Sequence, residues 1–374
     1  GQRAAVALPG GGQMTDGCWW LWLSYVLGPG APHCRRLLDV YGSAREVFEA
    51  VGKEDLSGLL TPGQCGRLST DPAVFAPMEA RCAALGAQVL TMDDPDYPSR
   101  LMDIEDAPPA LFVTGEVSAL NAGHTVGMIG SRRPSAYGVE AAAGIGKQLA
   151  EAGVCLVSGL ADGLDSEAHR AAVNAGAPTI GVLGTPIDQT YPAANRRLRA
   201  QMEQTGAVIS EFFPGEAAQR GNFLLRNRLI AALSDAVCVV EAREKSGTMN
   251  TVGHAQRYGR LVFAVPGGIF SEVCAGTNRL LAEGKARMAT GGGALLEALG
   301  LEGQGAKPAA PAQTAPPLSP GAKTMLGCLS QTPRPLEALA AEAGLDAGSA
   351  LAALLELEVA GEARGCAGGL FRRK

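Results

Sequence analysis

The chain has 374 residues, with 32 Lys and Arg against 37 Asp and Glu for a formal net charge of −5. That length is enough for two or three domains, and the acidic balance excludes a protein that coats duplex DNA through its overall charge; nucleic-acid contact requires a local basic pocket. The nine cysteines are scattered with no Cys-x-x-Cys pair, which excludes a disulfide framework or zinc site and points to thiols in a reducing compartment.

Residues 1–17 are Gly-rich and read as a disordered lead-in with no basic-then-apolar leader pattern, so the expectation is a cytoplasmic chain. No apolar run approaches the roughly 20 residues a membrane span needs. From 18 to 85 the pattern is helical with short loops, the arrangement of a SAM-like or helix-hairpin-helix domain. Gly28-Pro29-Gly30 falls between two helical patterns, and such a turn either offers backbone N–H groups to a phosphate or simply closes a small bundle. Pro29 and Pro32 remove two of the donors.

From 86 to 299 strand and helix alternate. Strands are expected at 89–92, 111–114, 125–130, 154–158, 179–183, 207–211, 236–241, 261–265 and 286–289. Helices are expected at 137–151, 166–175, 195–205, 223–233, 247–258, 276–283 and 293–299. Continuous apolar runs such as "VCVV" and "LVFAV" mark strands buried on both faces. The pattern predicts an α/β fold: an extended Rossmann-like, doubly wound, mostly parallel sheet, with the strands before Thr125 added at one edge. Residues 300–320 are Pro/Ala-rich and read as a linker. Residues 321–374 show helical patterns at 322–329, 335–343 and 347–357, then a two-stranded wing around Gly368-Gly369, the order of a C-terminal winged helix. Its charges nearly cancel, so a protein-contact or regulatory role stands beside DNA binding.

Ligands of open parallel sheets bind at the carboxyl ends of the strands. The segments there are Gly130-Ser131-Arg132-Arg133, "SGLADGLDSEAH" (158–169), "GTPIDQTYPAAN" (184–195), "EFFPGEAAQRGNFLLRNRL" (211–229) and "AREKSGTMNT" (242–251). Glycines, hydroxyls and cations together are an anion-binding composition. No G-x-x-x-x-G-K-[ST] is present and no G-x-G-x-x-G opens the first core helix, which disfavours a Walker ATPase or an NAD dehydrogenase. Arg132 is expected beside the N-terminus of helix 137–151, where two positive features favour a phosphate; the alternative is a pair with Asp165 or Glu211. Arg133 reads as its solvated neighbour. "QRGNFLLRNRL" brings Arg220, Arg226 and Arg228 near Phe223, and an aromatic beside a cation suits an unpaired strand. Within it Arg226 and Asn227 read as internal braces.

"GSRRPSAYG", "SGLADGLDSEAH", "YPAAN", "SEFFPG", "GNFLLRNRLIAALSDAVCVVEAREKSG", "FAVPG" and "GTNRLLAEGKA" together resemble the bacterial DNA-processing protein A family, also called DprA or Smf, over residues 86–299. The resemblance implies a single-stranded DNA-binding protein that protects incoming strands and loads a RecA-type recombinase in natural transformation, acts as a homodimer, and needs no metal or cofactor. Carried over residue by residue, it implies a DNA-binding set of Gly130, Ser131, Arg132, Arg133, Ser158, Gly159, Arg220, Gly221, Asn222, Phe223, Lys245, Ser246 and Gly247. Asp162 departs from the family, where many relatives carry a basic residue, and so puts full DNA affinity in doubt. The apolar stretch "VGHAQRYGRLVFAV" suggests a dimer edge, with Val262 and Tyr258 as test positions.

The core is also similar to a wider superfamily of nucleotide-base-releasing hydrolases with a Gly-x-Gly-Thr-x-x-Glu turn. Here Thr251 stands where that Glu is needed, so the acid/base group is missing; Asp165, His169 and Glu211 are the substitutes, with His169 read as a packed residue of its helix.

Overall fold

In the computed structural model of the chain, which describes residues 6–7, 13–301, 318–366 and 368–373, the N-terminal segment folds as helices α1 (Asp16–Leu27), α2 (Cys34–Tyr41), α3 (Ala44–Ala50), α4 (Pro62–Cys65) and α5 (Ala76–Ala84). Ser43 caps α3, and Thr61 with Gln64 forms a capping box on α4. Val6–Ala7 pairs with Gln13–Met14. Strands β1 (Ala87–Thr91) and β2 (Ala110–Gly115) follow, with the short α6 (Ser99–Met102) between them. The α1–α5 helices share one apolar cluster with these strands rather than forming a core of their own. Tyr25, Phe75, Phe213 and Phe112 make a chain of ring contacts from α1 to the sheet, with centroids 5.3–5.7 Å apart.

The α/β core continues as β3 (Thr125–Ile129), α7 (Ala136–Glu151), β4 (Cys155–Ser158), α8 (Leu164–Asn174), β5 (Thr179–Val182), α9 (Arg196–Met202) and β6 (Ala207–Ser210). Then come α10 (Asn222–Ala232), β7 (Ala236–Val239), α11 (Gly247–Arg257), β8 (Leu261–Ala264), α12 (Ala275–Ala282), β9 (Arg287–Met288) and α13 (Gly293–Ala298). All nine expected core strands form, each within about two residues of its expected ends. They make one sheet in the order β9-β8-β7-β3-β4-β5-β6-β2-β1. Pairing is parallel from β9 to β6, and β2 and β1 are antiparallel additions at the edge. Alternate residues feed opposite faces: Val126, Met128, Leu156 and Cys238 meet α7 and α8, while Ile129, Val157, Val237 and Val239 meet the larger cluster.

The structure narrows two of the readings above. Gly28 donates its N–H to Ser24 and Gly30 donates to the Glu211 carboxylate, so the glycine turn spends its amides inside the protein. Val262 is buried in the core, and the Tyr258 hydroxyl donates to Asp106 at 2.8 Å. A charge at Val262 therefore reads folding rather than dimerisation.

His169 on α8 is buried, and its Nδ1–H donates to Thr179 Oγ1 at 2.8 Å while that hydroxyl donates to Leu156 O. Its Nε2 has no partner among the described residues. Burial, reinforced by the Arg226 charge, lowers its pKa to about 3. The unfolded chain takes up this proton near pH 6.5 and the folded chain only near 3, so acid favours unfolding between those values. Stability is expected to fall by about 1.4 kcal/mol per pH unit as pH drops below about 6. The difference in urea midpoint between wild type and His169→Gln should shrink toward acid pH; a constant difference contradicts the assignment.

A second compact unit lies beyond the undescribed stretch 302–317, which contains most of the expected linker 300–320. It comprises α14 (Pro320–Cys328), β10 (Arg334–Pro335), α15 (Leu336–Ala343), α16 (Ala347–Val359), β11 (Ala363–Cys366) and β12 (Leu370–Arg373), with strand order β10-β12-β11. This is the expected winged helix. Gly368 and Gly369 both take positive φ in the wing, of 83° and 72°. Among the described residues no single helix is long and apolar enough to cross a membrane.

Candidate nucleic-acid interface

The chain lays β3, β4, β5 and β6 in one direction, then returns to the other side of β3 with β7, β8 and β9. The switch point is therefore between β3 and β7, where the loops at the strand ends diverge. A cavity of about 670 Å³ opens there, lined by Arg132, Tyr191, Arg220, Phe223, Arg243 and the Ser246–Thr248 turn among others.

The loop carrying Arg132 is held from two sides. Leu164 N–H donates to Ser131 O at 3.1 Å, and Thr248 Oγ1 donates to Gly130 O at 3.3 Å. Gly163 has φ of 77°, and a Cβ there would lie 2.4 Å from Ser131 O, so only glycine lets the two loops touch. Exposed Arg132 places its guanidinium 5.6 Å from the centre of the Phe223 ring. Phe223, at the start of α10, is half-buried: its ring packs on the backbone of Gly184 and meets the Tyr191 ring at 5.3 Å. The segment leading to Tyr191 is braced by buried Arg199, which donates to Ile187 O at 2.9 Å and Gln189 O at 3.0 Å and pairs with Glu203 at 2.8 Å. Tyr191 itself stays 55% exposed. Tyr191, Phe223 and Arg132 thus form a continuous aromatic–cation run.

The floor is Arg226. It is buried and donates to Gly159 O at 2.7 Å and to Val182 O. Burial lowers its pKa to about 10, against the opposing pull of Asp165, so it stays cationic at neutral pH. Burial raises the Asp165 carboxyl above the usual range, opposed by Arg226. Asn227 donates to Gly247 O and Asn250 Oδ1, both at 3.3 Å. Both residues are the internal braces expected. This arrangement corrects the placing of Ser158 and Gly159 in the contact surface: Ser158 is buried with its hydroxyl on Met128 O at 2.6 Å, and Gly159 lies under the Arg226 guanidinium. Arg228 also leaves the basic cluster. It is buried and binds Glu211 through both terminal nitrogens, at 3.0 and 2.5 Å.

The expected phosphate seat at α7 is already filled. Ser135 caps α7, and the buried Glu241 carboxylate accepts from Ser135 N–H at 3.0 Å and from its hydroxyl. The N-terminus of α11 lies at the cavity. Its N-cap Ser246 makes no side-chain cap bond, and its buried hydroxyl has no partner among the described residues. The first N–H groups of a helix are unsatisfied donors and carry its positive dipole end, a donor set of the kind that anions favour. Of the residues singled out from the sequence, Gly130, Ser131, Arg132, Arg220, Phe223, Ser246 and Gly247 line one cavity, whereas Arg133, Gly221, Asn222 and Lys245 lie outside its lining, as does exposed Asp162. Sequence reasoning missed Tyr191, Arg243 and Thr248; "YPAAN" and "AREKSG" carried the signal without assigning these side chains. Buried Thr251 lines the wall where the hydrolase Glu would stand, and Asp165 is the acidic side chain among the described lining residues.

A family model described as DNA recombination-mediator protein A matches residues 88–300, and one described as DprA winged helix domain matches residues 309–369. Protein Smf of Synechocystis sp. is 34% identical over 307 residues, covering 73% of this chain and 77% of that protein. DNA processing protein DprA of Streptococcus pneumoniae is 40% identical over 199 residues, 53% of this chain and 70% of that protein. An X-ray structure of S. pneumoniae DprA superposes with a TM-score of 0.65 at 30% identity, covering 76% of this chain and 98% of that one. A structure of Helicobacter pylori DNA processing protein A, described for its single-stranded DNA binding mode, gives 0.52 at 31% identity over 57% of this chain and 95% of that one.

Proposed function

Because the chain belongs to the DNA recombination-mediator protein A family, we propose that it binds single-stranded DNA in this cavity and delivers it to a RecA-type recombinase, as a homodimer and without turnover chemistry. The observation that carries the reading is the Tyr191–Phe223–Arg132 run beside the open N-terminus of α11. A phosphate seated at the Ser246–Gly247 amides meets Arg220, Arg243 and Arg132, and the adjoining base lies against the exposed aromatic surface. Paired bases are unavailable for such stacking, so the site selects unpaired strands; each stacked base contributes about 1–3 kcal/mol. The hydrolase alternative lacks its acid at Thr251, and Asp165 faces a permanent cation in Arg226.

Binding to oligo(dT) is expected to be tight and to blunt duplex weak, with a log–log salt slope of about 0.7 per phosphate neutralised. Recombinase filament assembly on the strand should accelerate when the protein is added. Equal affinity for duplex and single strand overturns the reading, and release of free base from nucleoside monophosphates restores the hydrolase.

A further inference from the structure

The turn after β8 puts Ile269 and Phe270 in solvent, at 84% and 96% exposure. Turn tips ordinarily carry small polar residues, and leaving a Phe and an Ile in water forgoes the gain of burying them. The turn is not a loose loop. Asn278 clamps its root, accepting from Gly267 N–H at 3.0 Å and donating to Gly267 O at 3.1 Å. Ser271 N–H closes it onto Gly268 O at 3.0 Å, leaving Ile269 and Phe270 as the two central residues. The backbone of the turn is therefore held, and both apolar side chains project from it into solvent.

The turn shares its rim with the cavity. β8 lies two strands from β3 in the sheet, about 10 Å at about 4.8 Å per strand, and both loops leave the carboxyl edge. A chain of groups connects them. Exposed Arg133 follows Arg132, and exposed Tyr137 in the first turn of α7 donates its hydroxyl to Pro266 O at 2.7 Å, at the foot of the turn. Between them, on the β7 loop, stand exposed Lys245 and Arg243, the latter pairing with Glu272 at 3.4 Å on the surface.

We propose that Phe270, with Ile269 beside it, is a second stacking platform for single-stranded DNA, engaging a base of the same strand after it leaves the cavity past Arg132. The inference rests on the reading of the cavity as a single-strand site. Cations followed by an outward aromatic on a braced turn are what an unpaired strand needs to continue its path, since phosphates track the cations and a base covers the ring. Fixing the turn backbone before binding reduces the ordering cost.

The test is fluorescence anisotropy with long oligo(dT), a short oligomer that fills only the cavity, and a long strand carrying abasic positions outside it. Phe270→Ala should weaken the long strand about 5- to 150-fold, leave the short oligomer unchanged, and lose its effect on the abasic strand; Phe270→Trp should retain wild-type affinity. Ultraviolet cross-linking of the long strand should map to Phe270. If wild type binds the long strand and Phe270→Ala binds it equally well, this inference fails while the cavity reading stands. If wild type binds no single strand, the cavity reading fails and takes this one with it. If Phe270→Ala changes the sedimenting mass and not the affinity, the turn joins copies of the chain and the inference is overturned.

Discussion

Arg132→Ala is expected to weaken oligo(dT) binding about 10- to 100-fold, and Arg220→Ala to do so comparably. A hydrogen bond to a charged group contributes about 1.5–3 kcal/mol, and each 1.4 kcal/mol is tenfold in affinity. Both side chains are exposed and line one cavity from separate loops, so removing either leaves the fold intact. The double variant should also flatten the log–log salt dependence by about 1.4, two phosphates' worth for a single strand. Arg132→Lys keeps the charge but loses the planar group lying over Phe223, and should fall between wild type and alanine. If both alanine variants bind oligo(dT) like wild type, the cavity is not the binding site.

Arg228→Met should produce the largest loss of stability, about 3–5 kcal/mol, because it strands buried charge. Arg228 faces Glu211 through two hydrogen bonds and Asp106 at 3.6 Å, all three side chains buried. Burial alone would lower the Arg228 pKa, but the two facing carboxylates outweigh it and hold the guanidinium above its ordinary range. Urea unfolding measures the loss, and adding Glu211→Gln should recover part of it, since one of the stranded charges is then gone. Under conditions where Arg228→Met stays folded, its oligo(dT) affinity should match wild type. A matching loss of affinity returns Arg228 to the binding surface.

The contrast between Arg220 and Arg228 marks what the sequence could convey. Strand positions were legible because burial on both faces of a parallel sheet leaves continuous apolar runs such as "VCVV" at 237–240. The loops at the carboxyl ends were legible because each follows a strand and ligands of open parallel sheets bind there. The fate of each charge was not, because it depends on a partner distant in sequence. Arg228 is buried because Asp106 and Glu211 meet it across the fold. The N-terminus of α7 is unavailable because Glu241, far along the chain, reaches beneath it. Local pattern is blind to both. Tyr191 was hidden for a different reason: a single aromatic in a loop carries no periodic signal, and its value comes from contact with Phe223 across the cavity.

The cavity wall draws on stretches near residues 130, 165, 191, 223 and 246, which the sheet alone brings to one rim. No fragment holding one of these stretches carries a site, so occupancy and cooperative folding are thermodynamically linked. A strand present at a hundredfold excess over its dissociation constant adds about 2.7 kcal/mol to the stability of the folded chain. On the proposed function, a bound strand therefore protects the folded chain against unfolding and proteolysis, so limited proteolysis should slow when oligo(dT) is added.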